Sequence, residues 1–279
     1  MARVHPRRAA DATGSVGRSP ERDPAPRHRI LSDMSHALEN RVALVTGGGT
    51  GIGRAIAVAF AGSGAAVAVN YSRSEADAEA TAQEIRSRGG SAITVRADIA
   101  QVNEVEAMIT RVVRDFGRLD VLVNNAGTTR FVDHADLDGL TEDVWDRILA
   151  VNVKGTFFVT RAAAKVMNEG RVINIGSVAG VNGAGSSIAY AASKGAIHTM
   201  TRSLARVLAP RITVNTIAPG LIETRWHAGR ETTNTYRVPS FLSKRIGRPD
   251  DIAHIALALA TADNFITGQV IVVDGGATV

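Results

Sequence analysis

No cysteine occurs among the 279 residues, so disulfides, thiolate nucleophiles and thiolate metal sites are excluded. The histidines are scattered and none form a His-x-x-x-His pair, which argues against a zinc site, and no metal is expected. No apolar run reaches membrane-spanning length, because Arg54, the turn at Gly62 to Gly64 and Arg73 interrupt the most hydrophobic stretch. Lysine is scarce: Lys154, Lys165, Lys194 and Lys244 stand against 28 arginines, a bias of the kind a GC-rich genome produces. The net charge of +5 is modest, and no nucleic-acid-binding motif accompanies it. The missing cysteine says little about compartment; a soluble, cytoplasmic protein with neither a membrane nor a nucleic-acid partner is the expectation. What is present is 45% hydrophobic, enough for one large α/β domain with a substantial core.

Residues 1–39 differ from the rest. They hold Arg7-Arg8, Pro20, Pro24 and Pro26, few large apolar residues and no periodicity. A disordered tail is the expectation. Asp11, Glu21, Asp23 and Asp33 argue against an acid-poor transit peptide. A start of translation at Met34, directly before the first strand, is the other reading.

After the tail, strand and helix patterns alternate. Strands are expected at Ala66 to Tyr71, Ala92 to Ala97, Leu119 to Val123, Val172 to Ile175, Ile212 to Ile217 and Val270 to Val273. Helices are expected at Glu75 to Arg88, along the Val102–Phe116 apolar stripe, and at Ile188 to Leu208. Alternation of this kind predicts a single-domain, doubly wound parallel sheet of about seven strands with helices on both faces.

Two motifs carry chemistry. Val42-Ala-Leu-Val-Thr46 runs into Gly47-Gly-Gly-Thr-Gly51-Ile-Gly53 and then a helix of small and apolar residues. Glycines let the chain turn sharply and let a pyrophosphate approach main-chain N–H groups at a helix N-terminus. The context is that of a first dinucleotide-binding βα unit, although the spacing is Gly-x-x-x-Gly-x-Gly. The second motif is Tyr190-Ala-Ala-Ser-Lys194, with Ser177 upstream. On a helix this spacing stacks a phenol and an ammonium on one face. A tyrosine with pKa near ~10 is a poor acid at neutral pH, and a neighbouring cation stabilises its phenolate.

These motifs, together with Asn124-Asn125-Ala126-Gly127, Asn152 and Pro219-Gly220, occur in the order of the short-chain dehydrogenase/reductase family. The chain resembles that family from about Asn40 to Val279. The resemblance implies a catalytic tetrad of Asn152, Ser177, Tyr190 and Lys194. Tyr190 would exchange a proton with the substrate oxygen and Ser177 would hydrogen-bond that oxygen. Lys194 would lower the Tyr190 pKa and hold the nicotinamide ribose, and Asn152 would support a water leading from Lys194 to solvent. It also implies cofactor contacts from Gly47, Thr50, Gly51, Ile52 and Gly53, from Asp98 and Ile99, and from Asn125, Ala126 and Gly127. Tyr190, Lys194, Pro219, Gly220, Ile222 and Thr224 would meet the nicotinamide half. A homotetramer is a further implication, built through the long helices holding Asn152 and Tyr190 and through the C-terminal strand.

Cofactor choice turns on Val69-Asn70-Tyr71-Ser72-Arg73-Ser74, which carries no acid. A carboxylate there would repel a 2′-phosphate, so its absence favours NADP(H), with Ser72 and Arg73 as phosphate contacts. Thr50 departs from relatives that carry a basic residue in the glycine turn, and NAD(H) is not excluded. A lid is expected over about residues 221–248, with six basic residues against Glu223 and Glu231. Its charge suits an anionic substrate, or else these arginines are solvated or lie in subunit contacts. Arg130 after Asn-Asn-Ala-Gly-Thr-Thr, and Arg206, add a resemblance to 3-oxoacyl-carrier-protein reductases. Trp226 in the lid would instead suit a cyclic or aromatic ketone, while Trp145 reads as core. The expectation is an NADP(H)-dependent interconversion of a ketone and a secondary alcohol, with a 3-oxoacyl thioester as substrate, which the resemblance implies is carrier-bound. The alternatives are an NAD-dependent sugar, polyol or steroid alcohol dehydrogenase, or a dinucleotide sensor without turnover.

Overall fold

A computed structural model of the chain describes residues 36–227 and 241–279. The proposed tail falls mostly outside the described residues, as does the middle of the expected lid with Arg230, Glu231 and Arg237.

The seven strands are β1 (Val42–Val45), β2 (Ala66–Tyr71), β3 (Ala92–Arg96), β4 (Val121–Asn124), β5 (Gly170–Ile175), β6 (Ile212–Pro219) and β7 (Val270–Val273). They form one sheet in the order β3-β2-β1-β4-β5-β6-β7, and every neighbouring pair is parallel. The alternating residues of β1 explain why two layers of helix are needed. Ala43 and Val45 enter one core with α1 (Gly51–Gly62), α2 (Glu75–Ser87) and α8 (Pro249–Thr261). Val42 and Leu44 enter the other with α3 (Val102–Phe116), α5 (Thr156–Val166) and α7 (Ile188–Leu208). A parallel sheet buried on both faces requires near-continuous apolar strands, and β1 and β4 are fully buried along their length. The doubly wound, single-domain α/β expectation therefore holds.

Strand order reverses between β1 and β4, whose carboxyl ends open the crevice where doubly wound folds take ligands. Strand β2, helix α7 and strand β7 have the expected bounds. Strand β4 begins at Val121 rather than Leu119. Asp120 before it spends its carboxylate on the Val42 N–H (2.9 Å) and on Arg118 and Arg41. The element containing Asn152 is not one long helix: α4 (Glu142–Leu149) passes into α5 through a π-helical turn, Ala150–Gly155. Trp145 on α4 is half-buried rather than core. Among the described residues, no helix is long and apolar enough to cross a membrane.

Candidate active site

The glycine turn is held by hydrogen bonds across the crevice. Thr46, at the end of β1, is fully buried. Its hydroxyl donates to the Val123 carbonyl (3.2 Å) and accepts from the N–H groups of Asn125 and Ala126 (3.0 Å each). Asn125 returns the connection, its Nδ2 donating to the carbonyls of Thr46 and Gly47 at 3.0 Å. Gly53 must be glycine, because a Cβ there would overlap Asn125 Nδ2 and the Gly47 carbonyl. Gly47 takes a φ of +61°, a left-handed conformation that glycine adopts without strain. Thr50 begins α1 with no side-chain cap, which leaves the first-turn N–H groups to a ligand.

All the sequence-predicted site residues except Gly53 and Asn152 line one cleft of about 640 Å³. At its far end Asn70 turns inward. Its Oδ1 accepts from the Gly47 N–H (3.2 Å) and its Nδ2 donates to the carbonyls of Val95 and Ala97 (3.1 Å each). Ser72 and Arg73 are left to line the cleft, and no carboxylate follows β2 before Glu75. Asp98 lies after β3, with Oδ1 accepting from the Ala100 N–H (3.0 Å) and Oδ2 facing Arg147 of α4 (3.3 Å). Arg147 lines the same cleft and was not anticipated, since nothing in its local sequence places it opposite Asp98.

At the other end Lys194 is buried on α7. Its Nζ donates to the Ile175 carbonyl at 2.8 Å and lies 5.6 Å from the centroid of the Tyr190 ring. Burial pushes its pKa down to about 8. Helix α7 is capped by Ser187, whose hydroxyl accepts from the Tyr190 N–H at 3.2 Å, so the cap fixes the turn that carries the phenol. Ser177 lies two residues beyond β5, and its hydroxyl accepts from the Ala179 N–H at 3.1 Å, opening the short helix α6 (Ala179–Asn182).

Asn152 sits behind these groups. Its Oδ1 accepts from the Thr128 N–H (2.8 Å), and its Nδ2 donates to the Thr128 carbonyl (3.0 Å) and the Ser193 hydroxyl (2.9 Å). The amide is thus committed to protein partners and braces the segment after Asn125-Ala126-Gly127 against α7. Its side chain acts here as a brace between the Thr128 backbone and Ser193. One helical turn beyond Lys194, buried His198 fills the space beside Gly176 and Gly180, which flank Ser177. Burial and the Lys194 charge push its pKa down to about 4. Sequence reasoning missed His198, although its i,i+4 spacing from Lys194 was readable.

Two of the described lid cations are engaged with the body of the protein. Arg225 donates to Asp77 of α2 at 2.7 Å, and Arg245 makes a two-point contact with Asp251 of α8 at 2.6 and 2.9 Å. Arg130 and Arg206 are exposed and do not line the cleft.

The family model for short chain dehydrogenase matches residues 41–235. The chain belongs to the short-chain dehydrogenase family. As in that family, it is an oxidoreductase acting at a CH–OH group, and a nicotinamide dinucleotide is its cofactor. A 3-oxoacyl-(acyl-carrier-protein) reductase of Synechocystis sp. is 42% identical over 247 residues, covering 86% of this chain and 98% of the relative. The hydroxy(phenyl)methylsuccinyl-CoA dehydrogenase subunit BbsD of Thauera aromatica is 41% identical over 245 residues, covering 86% and 97%. Among solved structures, a short chain dehydrogenase of Burkholderia cenocepacia in complex with NADP superposes with a TM-score of 0.81 at 37% identity, covering 87% of this chain and 100% of that one. The short-chain dehydrogenase cleft described above fits a dinucleotide, with a glycine cradle that a Cβ would fill and an uncapped helix start beside it.

Proposed function

We propose that the protein is an NADP(H)-dependent ketoreductase acting on a 3-oxoacyl thioester. The observation that carries the reading is the buried Lys194 against the Tyr190 ring at one end of a cleft whose other end offers Arg73 and no acid. When bound, NADPH supplies the hydride. Tyr190 gives its phenolic proton to the substrate oxygen, so that a C–H and an O–H bond form and a secondary alcohol leaves. Ser177 donates to the same oxygen and holds the carbonyl in register. The Lys194 ammonium stabilises the phenolate that remains until solvent reprotonates it. Asn152 keeps α7 in place behind both.

At the cofactor end, main-chain groups around Gly47, Thr50, Gly51, Ile52 and Gly53 would hold the pyrophosphate. Asp98 and Ile99, with Asn125, Ala126 and Gly127, would flank the adenosine, and Pro219, Gly220, Ile222 and Thr224 the nicotinamide. Ser72 and Arg73 would take the 2′-phosphate, a reading supported by the inward turn of Asn70. Two relatives named for acyl-carrier and acyl-CoA substrates support the thioester. A homotetramer is part of the proposal, supported by exposed Phe157 and Val166 on α5 and by Phe265, Ile266 and Val272 at the β7 edge.

The deciding assay follows absorbance with NADPH and with NADH, using purified protein and an acetoacetyl thioester. Oxidation of NADPH at least tenfold faster than NADH is the expected result. Equal rates would remove the role of Arg73, and no turnover with either would remove the thioester.

A further inference from the structure

We propose that Trp226 forms one wall of the substrate site and selects ketones whose carbonyl carries a planar aromatic ring. The inference rests on the ketoreductase reading above and deepens it.

Trp226 lies in the 3-10 turn Arg225–His227, with its ring centroid 5.9 Å from that of Tyr190 and the two planes inclined at 50°. This spacing is that of two aromatic rings in contact, which sets the indole directly beside the phenol that delivers the proton. Trp226 as a residue is 39% exposed, although it stands beside a reacting group. It is also held in place. The preceding Arg225 is tied to Asp77 at 2.7 Å. The same cleft also has the apolar Val178, Leu221 and buried Phe241 in its lining. Arg225 is occupied by Asp77, so this wall favours a flat apolar substituent over an anionic one. A methyl group leaves the exposed part of Trp226 wet, whereas an aryl ring beside the phenol would cover it while its carbonyl reaches Tyr190 and Ser177.

The test compares the N-acetylcysteamine thioesters of benzoylacetate and acetoacetate, which differ only in phenyl against methyl on the ketone. In the wild type, kcat/KM with NADPH is expected to favour the aryl substrate by about tenfold. Trp226→Ala should erase that ratio, and Trp226→Phe should restore most of it. A ratio unchanged by Trp226→Ala would overturn the proposal. Turnover of neither thioester would instead count against the ketoreductase reading, and a binding measurement then decides the wall. Trp145→Phe leaves Trp226 as the sole tryptophan. With NADP+ present, saturable quenching of its emission by the benzoylacetyl but not the acetoacetyl thioester would sustain the assignment. No quenching, or equal quenching by both, would overturn it.

Discussion

Asn152 and Ser193 are joined by a 2.9 Å hydrogen bond from the amide Nδ2 to the hydroxyl, and the same hydroxyl donates to the Tyr190 carbonyl at 2.7 Å. The π-helical turn is thereby tied to the first two turns of α7, from which Tyr190 and Lys194 project. The turn widens the helix at the position where this amide must reach inward, a common reason for such turns near active sites. Asn152→Ala leaves the Thr128 N–H, the Thr128 carbonyl and the Ser193 hydroxyl without this partner. Each buried loss costs about 1–3 kcal/mol. Urea unfolding should show a clear drop in midpoint, and steady-state kinetics a fall in kcat larger than the change in KM. Ser193→Ala removes one partner and should cost about 1 kcal/mol. A stable Asn152→Ala enzyme with wild-type kcat would break the proposed link.

His198 makes the fold acid-sensitive. Its folded pKa of about 4 lies below the ordinary value of 6.5, so between those values the unfolded chain binds more protons than the folded one. Stability is therefore lost as pH falls through this window and is level above it. The full effect is about 3 kcal/mol. His198→Leu should flatten the slope of unfolding free energy from pH 6.5 to 4, read by urea titration at each pH. A slope identical to wild type would assign the acid sensitivity elsewhere.

Several features of the fold could be read locally, and others could not. The strand of Val42-Ala-Leu-Val and its glycine turn are legible because the chain must leave a buried strand and start a helix within a few residues. Helix α7 is legible because its apolar and small residues keep one period throughout. The Asn152 brace was not legible, since its partners Thr128 and Ser193 come from distant segments and meet only after folding. The pairing of two lid charges was not legible for a similar reason. Counting arginines could not show that Arg225 and Arg245 are bound to Asp77 and Asp251. Asn124 shows the architectural side of its motif: its Nδ2 donates to Thr160 and Asn174, well inside the sheet.

Cofactor preference should respond to a single residue. Arg73 lines the cleft just after β2, and among the described residues no carboxylate pairs with it. Arg73→Ala should raise KM for NADPH by about tenfold, the loss of one charge-assisted phosphate contact, with a much smaller change for NADH. Equal increases for both cofactors would mean that Arg73 shapes the β2 end without contacting a phosphate.

Lys194 should contribute to activity at the expense of stability. Its pKa is about 8 in the fold against an ordinary value of 10.5, and the cause is burial. For a cation this means that the unfolded chain binds more protons between those two values. The charge therefore opposes folding most strongly below pH 8, by about 3 kcal/mol, and the opposition fades as pH rises toward the unfolded value. Lys194→Met removes that burden but leaves the Ile175 carbonyl without its donor, a loss of about 1–3 kcal/mol. The two changes nearly offset at pH 7, so the variant should melt within a few degrees of wild type there. At pH 10 the wild type no longer carries most of the burden, and the variant should melt at the lower temperature. Over the same range kcat should remain depressed by about 10²–10⁴-fold, since the phenolate of Tyr190 has lost its neighbouring ammonium. Thermal melts at both pH values check the sign. A variant that is less stable at pH 7 than at pH 10, relative to wild type, would show that the ammonium supports the fold as well as the chemistry.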